Sequence, residues 1–208
     1  NTSLQSVLKK RIFDPLEMID TAFTVDSKSH DRLMTHYEFD PVNKKLHDPL
    51  LGSQKIAGIG YPTDQLTYAR GGHGLFSTLE DYSKFSQMLL DGKTQKGEII
   101  ISRNMLSQAI TNHLDLKFFP LEIKNFDVEV LEENDLDGYG WGLGFRVLTD
   151  LNKTNGVGSI GEFGWAGAAA TYFLVDPKND LTAVVMTQVL GADNILQKNF
   201  ITEIYKNL

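Results

Sequence analysis

Phe163-Gly164-Trp165-Ala166-Gly167-Ala168-Ala169-Ala170-Thr171 is the stretch on which the reading of this chain turns. Six of the seven residues at 164–170 are Gly or Ala, and the seventh is Trp165. A strand with so few side chains leaves its backbone open to close approach, either by a tightly packed helix or by a ligand. Tyr172-Phe173-Leu174-Val175 continues it as an apolar run, Asp176-Pro177-Lys178-Asn179-Asp180 reads as a turn, and 181–189 is a second apolar run. The spacing predicts strands over 168–175 and 181–189, joined as an antiparallel hairpin.

Working outward, Tyr139, Trp141, Leu143, Phe145 and Val147 alternate with Gly140, Gly142, Gly144 and Arg146, which predicts a period-2 strand with one bare face. Residues 156–163 supply a further candidate strand. Beyond the sheet, Asp193 is expected to cap a terminal helix that turns Leu196, Phe200, Ile201, Ile204 and Tyr205 toward it. The strongest helix signal lies within 71–92. There Ser77-Thr78-Leu79-Glu80 reads as a capping box, Tyr82, Phe85, Met88 and Leu89 as the buried stripe, and Gly92 as the C′ residue. Ser102 is expected to cap another helix with Met105, Leu106, Ala109 and Ile110 on one face. Leu4, Val7, Leu8 and Ile12 keep helical spacing until Asp14-Pro15 ends the run. Residues 23–67 are polar, with Pro41, Pro49 and Pro62, and read as long loop with a short strand near Met34-Thr35-His36-Tyr37.

Composition narrows the function classes. The 208 residues carry 20 Lys and Arg against 27 Asp and Glu, a net charge of −7 that argues against a nucleic-acid footprint. The absence of cysteine excludes disulfides, thiolate metal sites and a thiol nucleophile together. No apolar run approaches the roughly 18 residues that span a bilayer. Glu122, Asp127, Glu129, Glu132, Glu133, Asp135 and Asp137 crowd 114–138, but Glu133-Asn134-Asp135-Leu136-Asp137-Gly138 is out of frame for a calcium loop, so this reads as a solvated acidic loop. His30, His36, His47, His73 and His113 show no metal-ligand spacing, and Gly140-Trp141-Gly142-Leu143-Gly144 lies along a strand rather than in a strand-to-helix turn. No metal and no cofactor are implied.

Four short stretches occur in a telling order: Arg11-Ile12-Phe13-Asp14-Pro15-Leu16-Glu17-Met18 with Thr21; Gly71-Gly72-His73-Gly74-Leu75-Phe76-Ser77-Thr78-Leu79-Glu80-Asp81; Tyr139-Gly140-Trp141-Gly142-Leu143-Gly144-Phe145; and Trp165-Ala166-Gly167 before Val175-Asp176-Pro177. Together they resemble the serine β-lactamase superfamily, in the branch of class C β-lactamases, low-molecular-weight penicillin-binding proteins and related esterases. The resemblance implies an α+β fold, an antiparallel β-sheet flanked by helices, forming the C-terminal part of the β-lactamase/transpeptidase-like fold. Residues 1–138 would be its helical and loop region, lining the cleft, and 139–208 its sheet strands and C-terminal helix. Trp165-Ala166-Gly167 would then occupy the Lys-Thr-Gly box that walls the site, and the backbone N–H of Ala168 would be one of two oxyanion donors. His73 would line the cleft, although a lone histidine is more often a satisfied surface or core residue.

Family members attack an acyl carbonyl with a serine assisted by a lysine in Ser-x-x-Lys, and a Tyr-x-Asn tyrosine relays protons. The resemblance implies that all three precede residue 1, so this chain alone is expected to be inactive and to pair with a missing N-terminal segment or with itself. Ser6-Val7-Leu8-Lys9 has the right spacing but falls on a surface helix, and Tyr205-Lys206-Asn207 falls at a frayed end. An indole at Trp165 offers an apolar face and one N–H but no cation, and Ala166 lacks the usual hydroxyl. Both changes favour a small-molecule neutral acyl or ester substrate over a carboxylated β-lactam, unless Trp165 is simply a packing residue. The rival expectation is a non-catalytic binding or regulatory module that keeps the cleft.

Overall fold

The computed structural model describes residues 2–40, 42–47, 69, 71–119, 136–191 and 195–208. Five strands, β3 (Tyr139–Trp141), β4 (Arg146–Leu148), β5 (Phe163–Ala166), β6 (Tyr172–Asp176) and β7 (Leu181–Val185), form an antiparallel sheet in the order β3-β4-β5-β6-β7. A smaller sheet has the order β2-β1-β8: β1 (Tyr37–Asp40) pairs antiparallel with β2 (Lys45–His47) and parallel with β8 (Val189–Leu190). Among the described residues the α-helices are α1 (Leu4–Leu8), α2 (Leu79–Asp91), α3 (Arg103–Ala109) and α4 (Ile195–Lys206). This is the α+β, helix-flanked antiparallel architecture that the sequence resemblance implied.

Alternation along the strands sorts their side chains onto two faces. Val147, Phe163, Phe173 and Val175 join Met88 and Leu89 of α2, Leu106 of α3, and Phe13, Leu16 and Met18 in the main core. Tyr172 and Leu174 point the other way and pack with Ile201 of α4. Helix α2 begins at an N-cap on Thr78, whose hydroxyl accepts from the Asp81 N–H, and ends at Gly92 in the left-handed conformation. The cap therefore sits one residue later than the Ser77–Glu80 box. Asp81, the third residue of that helix, accepts from the Asp20 N–H at 2.8 Å and the Thr21 hydroxyl at 2.9 Å. Ser102 caps α3 as its sequence suggests, with Leu106 buried but Met105 exposed. The helix of Leu4–Leu8 continues through Lys9–Phe13 with wider, π-type hydrogen bonding.

Several strand expectations are corrected. The run of alternating residues from Tyr139 to Val147 is a β3–β4 hairpin, in which Trp141 pairs with Arg146 and the Gly142 N–H donates to Phe145 O at 2.8 Å. Gly144, at φ +97°, provides the reversal that alternation cannot reveal. Residues 156–162 are turns, and β5 starts only at Phe163. The 168–175 strand is shortened to Tyr172–Asp176, because 167–171 forms the turn between β5 and β6. The 181–189 run splits between β7 and β8. Asp193 and most of the acidic loop fall outside the described residues. Among the described residues no helix is long and apolar enough to cross a membrane.

Candidate active site

The four sequence stretches meet in two pairs. The first two are fastened by Asp81, 2% exposed, and by a 2.8 Å hydrogen bond between the hydroxyls of Thr21 and Ser77. Ala22 and Phe76 exchange both backbone hydrogen bonds beside it, at 2.8 and 3.2 Å. His73 lies exposed in the bend just before this junction. The second pair meets through indoles: Trp141 and Trp165, both half-buried, stand edge to face with centroids 4.5 Å apart and planes at 83°. Trp165 also packs against the main core cluster, so it has a structural role whatever else it does.

The question raised by the bare ribbon, helix or ligand, receives a third answer at two glycines. A Cβ at Gly164 would lie 2.0 Å from Phe173 O of the neighbouring strand, and one at Gly167 would lie 2.2 Å from the Thr171 hydroxyl. The chain's own β6 and the turn of 167–171 occupy that space. The turn is tightly tied: Gly167 N–H donates to Thr171 O at 2.8 Å, Ala170 N–H to Gly167 O at 3.0 Å, and Ala169 O accepts from the Thr187 hydroxyl and the Val189 N–H. Ala170 adopts φ 60°, a conformation an alanine takes only when its surroundings enforce it. Ala168 is the exception. It is exposed, and among the described residues its N–H has no hydrogen-bond acceptor.

At the opposite end of β5 sits a buried charged network that the sequence did not announce. Glu162 is fully buried, and it accepts from the hydroxyls of Tyr139 at 3.2 Å and Tyr205 at 2.5 Å and from the Ser159 N–H at 3.0 Å. Arg146 donates to the Tyr172 hydroxyl at 2.8 Å and lies over the Tyr139 and Tyr172 rings, 4.4 and 5.1 Å from their centroids. Burial pushes the Glu162 carboxyl up, against the pull of Tyr205, the Ser159 N–H, Tyr139 and Arg146. Tyr205 also faces Asp176, at 2.8 Å, and burial beside the two carboxylates raises its own pKa. Its single hydrogen cannot serve both acceptors, and Asp176 already receives the Lys178 N–H, the Asn179 N–H and the Asn179 side-chain amide. Tyr205 is therefore no frayed terminus: it anchors α4 to the sheet. The signal available in sequence was its place on the apolar face of the terminal helix.

The other sequence candidate stays on the surface. Ser6 is exposed and bonded to the Ser3 hydroxyl, and Lys9 is paired with Asp14. Trp141 is the residue that sequence reasoning quoted in a motif but did not place at the site. Its alternation with flanking glycines was the available sign. Among the described residues one cavity lies beside Glu17 and Lys96 and another, about 270 Å³, between Leu106 and Pro177, neither of them at the tryptophan pair. Among the described residues no cluster of His, Asp and Glu has the makings of a metal site.

Comparison with known proteins gives this geometry its context. The Beta-lactamase family model matches residues 1–205. The chain is 30% identical over 215 residues to lovastatin esterase of Penicillium rubens, covering 98% of this chain and 51% of that protein. It is 29% identical over 192 residues to an uncharacterized protein of Mycobacterium tuberculosis, covering 89% and 43%. Among solved structures, it resembles EstCE1, a hydrolase with promiscuous acyltransferase activity, with a TM-score of 0.73 and 19% identity over 97% of this chain and 50% of that one. A mutant of simvastatin synthase from Aspergillus terreus is similar at a TM-score of 0.75 and 18% identity, covering 99% and 51%. The chain thus spans about half the length, or less, of the curated relatives it matches.

Proposed function

The chain belongs to the Beta-lactamase family, and from that premise we propose that it forms one wall of a serine hydrolase or acyltransferase site acting on an uncharged ester or amide. Trp165, Ala166 and Gly167 supply the box, His73 lines the cleft, and the Ala168 N–H is one of two donors to the oxyanion. The observation that carries this reading is the exposed Ala168 N–H, which has no acceptor among the described residues while the turn around it is tied at Gly167, Ala169 and Ala170. A donor held by a rigid turn is pre-aimed at charge that develops only in the transition state. The lysine-free box supports a neutral substrate, as does the esterase name of the fungal relative.

In the reaction so proposed, a serine oxygen attacks the acyl carbon and its proton passes through a neighbouring base to the departing alcohol or amine. Water then releases the acid in a second step. In this reading the serine, its lysine and the relay tyrosine are supplied by sequence outside these 208 residues, a reading supported by the chain's spanning about half, or less, of its curated relatives. Expression of the complete open reading frame tests this. The full product is expected to hydrolyse a chromogenic ester while this chain alone is inert. Ala168→Pro in the full product, which deletes the N–H, is expected to lower kcat about 100- to 1000-fold. Turnover by this chain alone would move the nucleophile into it, and inertness of both would favour a non-catalytic binding module.

A further inference from the structure

The two tryptophans are the only ones in the chain, and they stand at right angles in contact. Trp141 is held from both sides of its peptide: its N–H donates to Asn112 Oδ1 at 3.0 Å and its carbonyl accepts from the His113 N–H at 2.9 Å. The glycines beside it explain how that hold is possible. A Cβ at Gly140 would fall 2.5 Å from Asn112 Cγ, and one at Gly142 would fall 2.0 Å from Ala109 O. The bare edge of β3 is thus filled by the segment after α3, which fixes Trp141 independently of Trp165.

Charge around the pair is equally ordered. Arg146, the residue paired with Trp141 across the hairpin, turns its guanidinium to Tyr139 and Tyr172 and is buried there. Tyr172 packs on the α4 face, whereas Trp165 packs with the core on the α2 face. The one cation within the five strands of this sheet is therefore committed elsewhere, and the two indoles present apolar faces at right angles. An aryl group laid on one indole face would present its edge to the other, the offset geometry that aromatic rings favour.

We propose that Trp141 is a specificity-determining residue: with Trp165 it forms an indole corner that takes an aryl or bulky alkyl group of an uncharged acyl compound and discriminates against a carboxylate. This rests on the site reading above and adds to it the substrate class and a residue. Asn112 is the positioning residue for the corner.

Because Trp141 and Trp165 account for all the indole fluorescence, binding can be read directly in this chain. The probes are N-phenylbutyramide, uncharged, and 4-phenylbutyrate, of similar apolar size but anionic. The amide is expected to change the emission saturably and the carboxylate to bind about tenfold more weakly. Trp141→Ala is expected to weaken amide binding about tenfold, and Trp141→Phe to retain most of it. Should Trp141→Ala fail to fold, Asn112→Ala keeps both indoles and is expected to weaken amide binding and diminish the near-ultraviolet dichroism of the pair. Equal affinity for the two probes, amide binding indifferent to position 141 and to Asn112, or no saturable response to either probe would overturn the proposal. Amide-selective binding combined with no acyl-enzyme in the full product would sink the hydrolase reading and leave this one standing. Ester turnover with binding indifferent to Trp141 would do the reverse.

Discussion

The two ends of β5 follow opposite rules. At its start, Glu162 is fully buried and meets Tyr139, Ser159 and Tyr205, with Arg146 contributing through charge. At its finish, three residues further on, Trp165 is half-buried, and Ala168 just beyond is exposed with its N–H unused among the described residues. One end is closed by the chain itself and the other is left with recognition capacity. Satisfied buried groups are a matter of stability, whereas an unsatisfied donor on a rigid turn has value only to something that arrives later.

Substitutions should separate the two ends. Arg146→Ala removes the hydrogen bond to the Tyr172 hydroxyl and opens space under the Tyr139 and Tyr172 rings, so a loss of about 2–5 kcal/mol is expected in urea unfolding. Gly164→Ala places a methyl against the Phe173 carbonyl, a backbone atom that cannot swing aside, and is expected to cost about 2–3 kcal/mol by the same measurement. If either change proves neutral, the start of β5 is not the closed end described here.

A subtler test concerns the proton. Burial raises the folded-state pKa of Glu162 above the ordinary 4.5. The folded protein then holds a proton that the unfolded chain has released, and its contribution to stability is full below that ordinary value. It is lost as pH rises from 4.5 through the raised folded value. Unfolding measured across this window should show stability falling with pH from this group, and Glu162→Gln should remove that slope. An unchanged slope would place the proton elsewhere in the network. At the open end the effects should be smallest: Trp165→Phe is expected to change stability by about 1 kcal/mol and His73→Ala by less than about 0.5 kcal/mol. A large loss at Trp165 would show that its packing outweighs any recognition role.

Much of the architecture was legible because local rules wrote it. Gly92 and Ser102 ended and began helices where their chemistry predicts, and the β6–β7 hairpin followed from its turn residues. The misreadings share a cause: alternation reports which side chains share a face but not where a strand reverses. Gly144 turned an apparent strand into a hairpin, and Ala169 and Ala170 belonged to a turn rather than a strand because contacts from Thr187 and Val189 hold that turn in place. The side chain of Asp81 binds Thr21, 60 residues away in sequence, a partner no local rule announces.

What the sequence determined by itself was the family-like order of four motifs, the helix ends, and the chemical character of the 164–170 stretch, one indole among small residues. Only the tertiary structure decided that Glu162 and Tyr205 meet, that Trp141 buttresses Trp165, and that the exposed Ala168 N–H has no acceptor among the described residues. The reason is physical. Residue type and short spacing set local torsions and caps, whereas burial, pKa and hydrogen-bond satisfaction are properties of neighbours that folding brings together from distant parts of the chain.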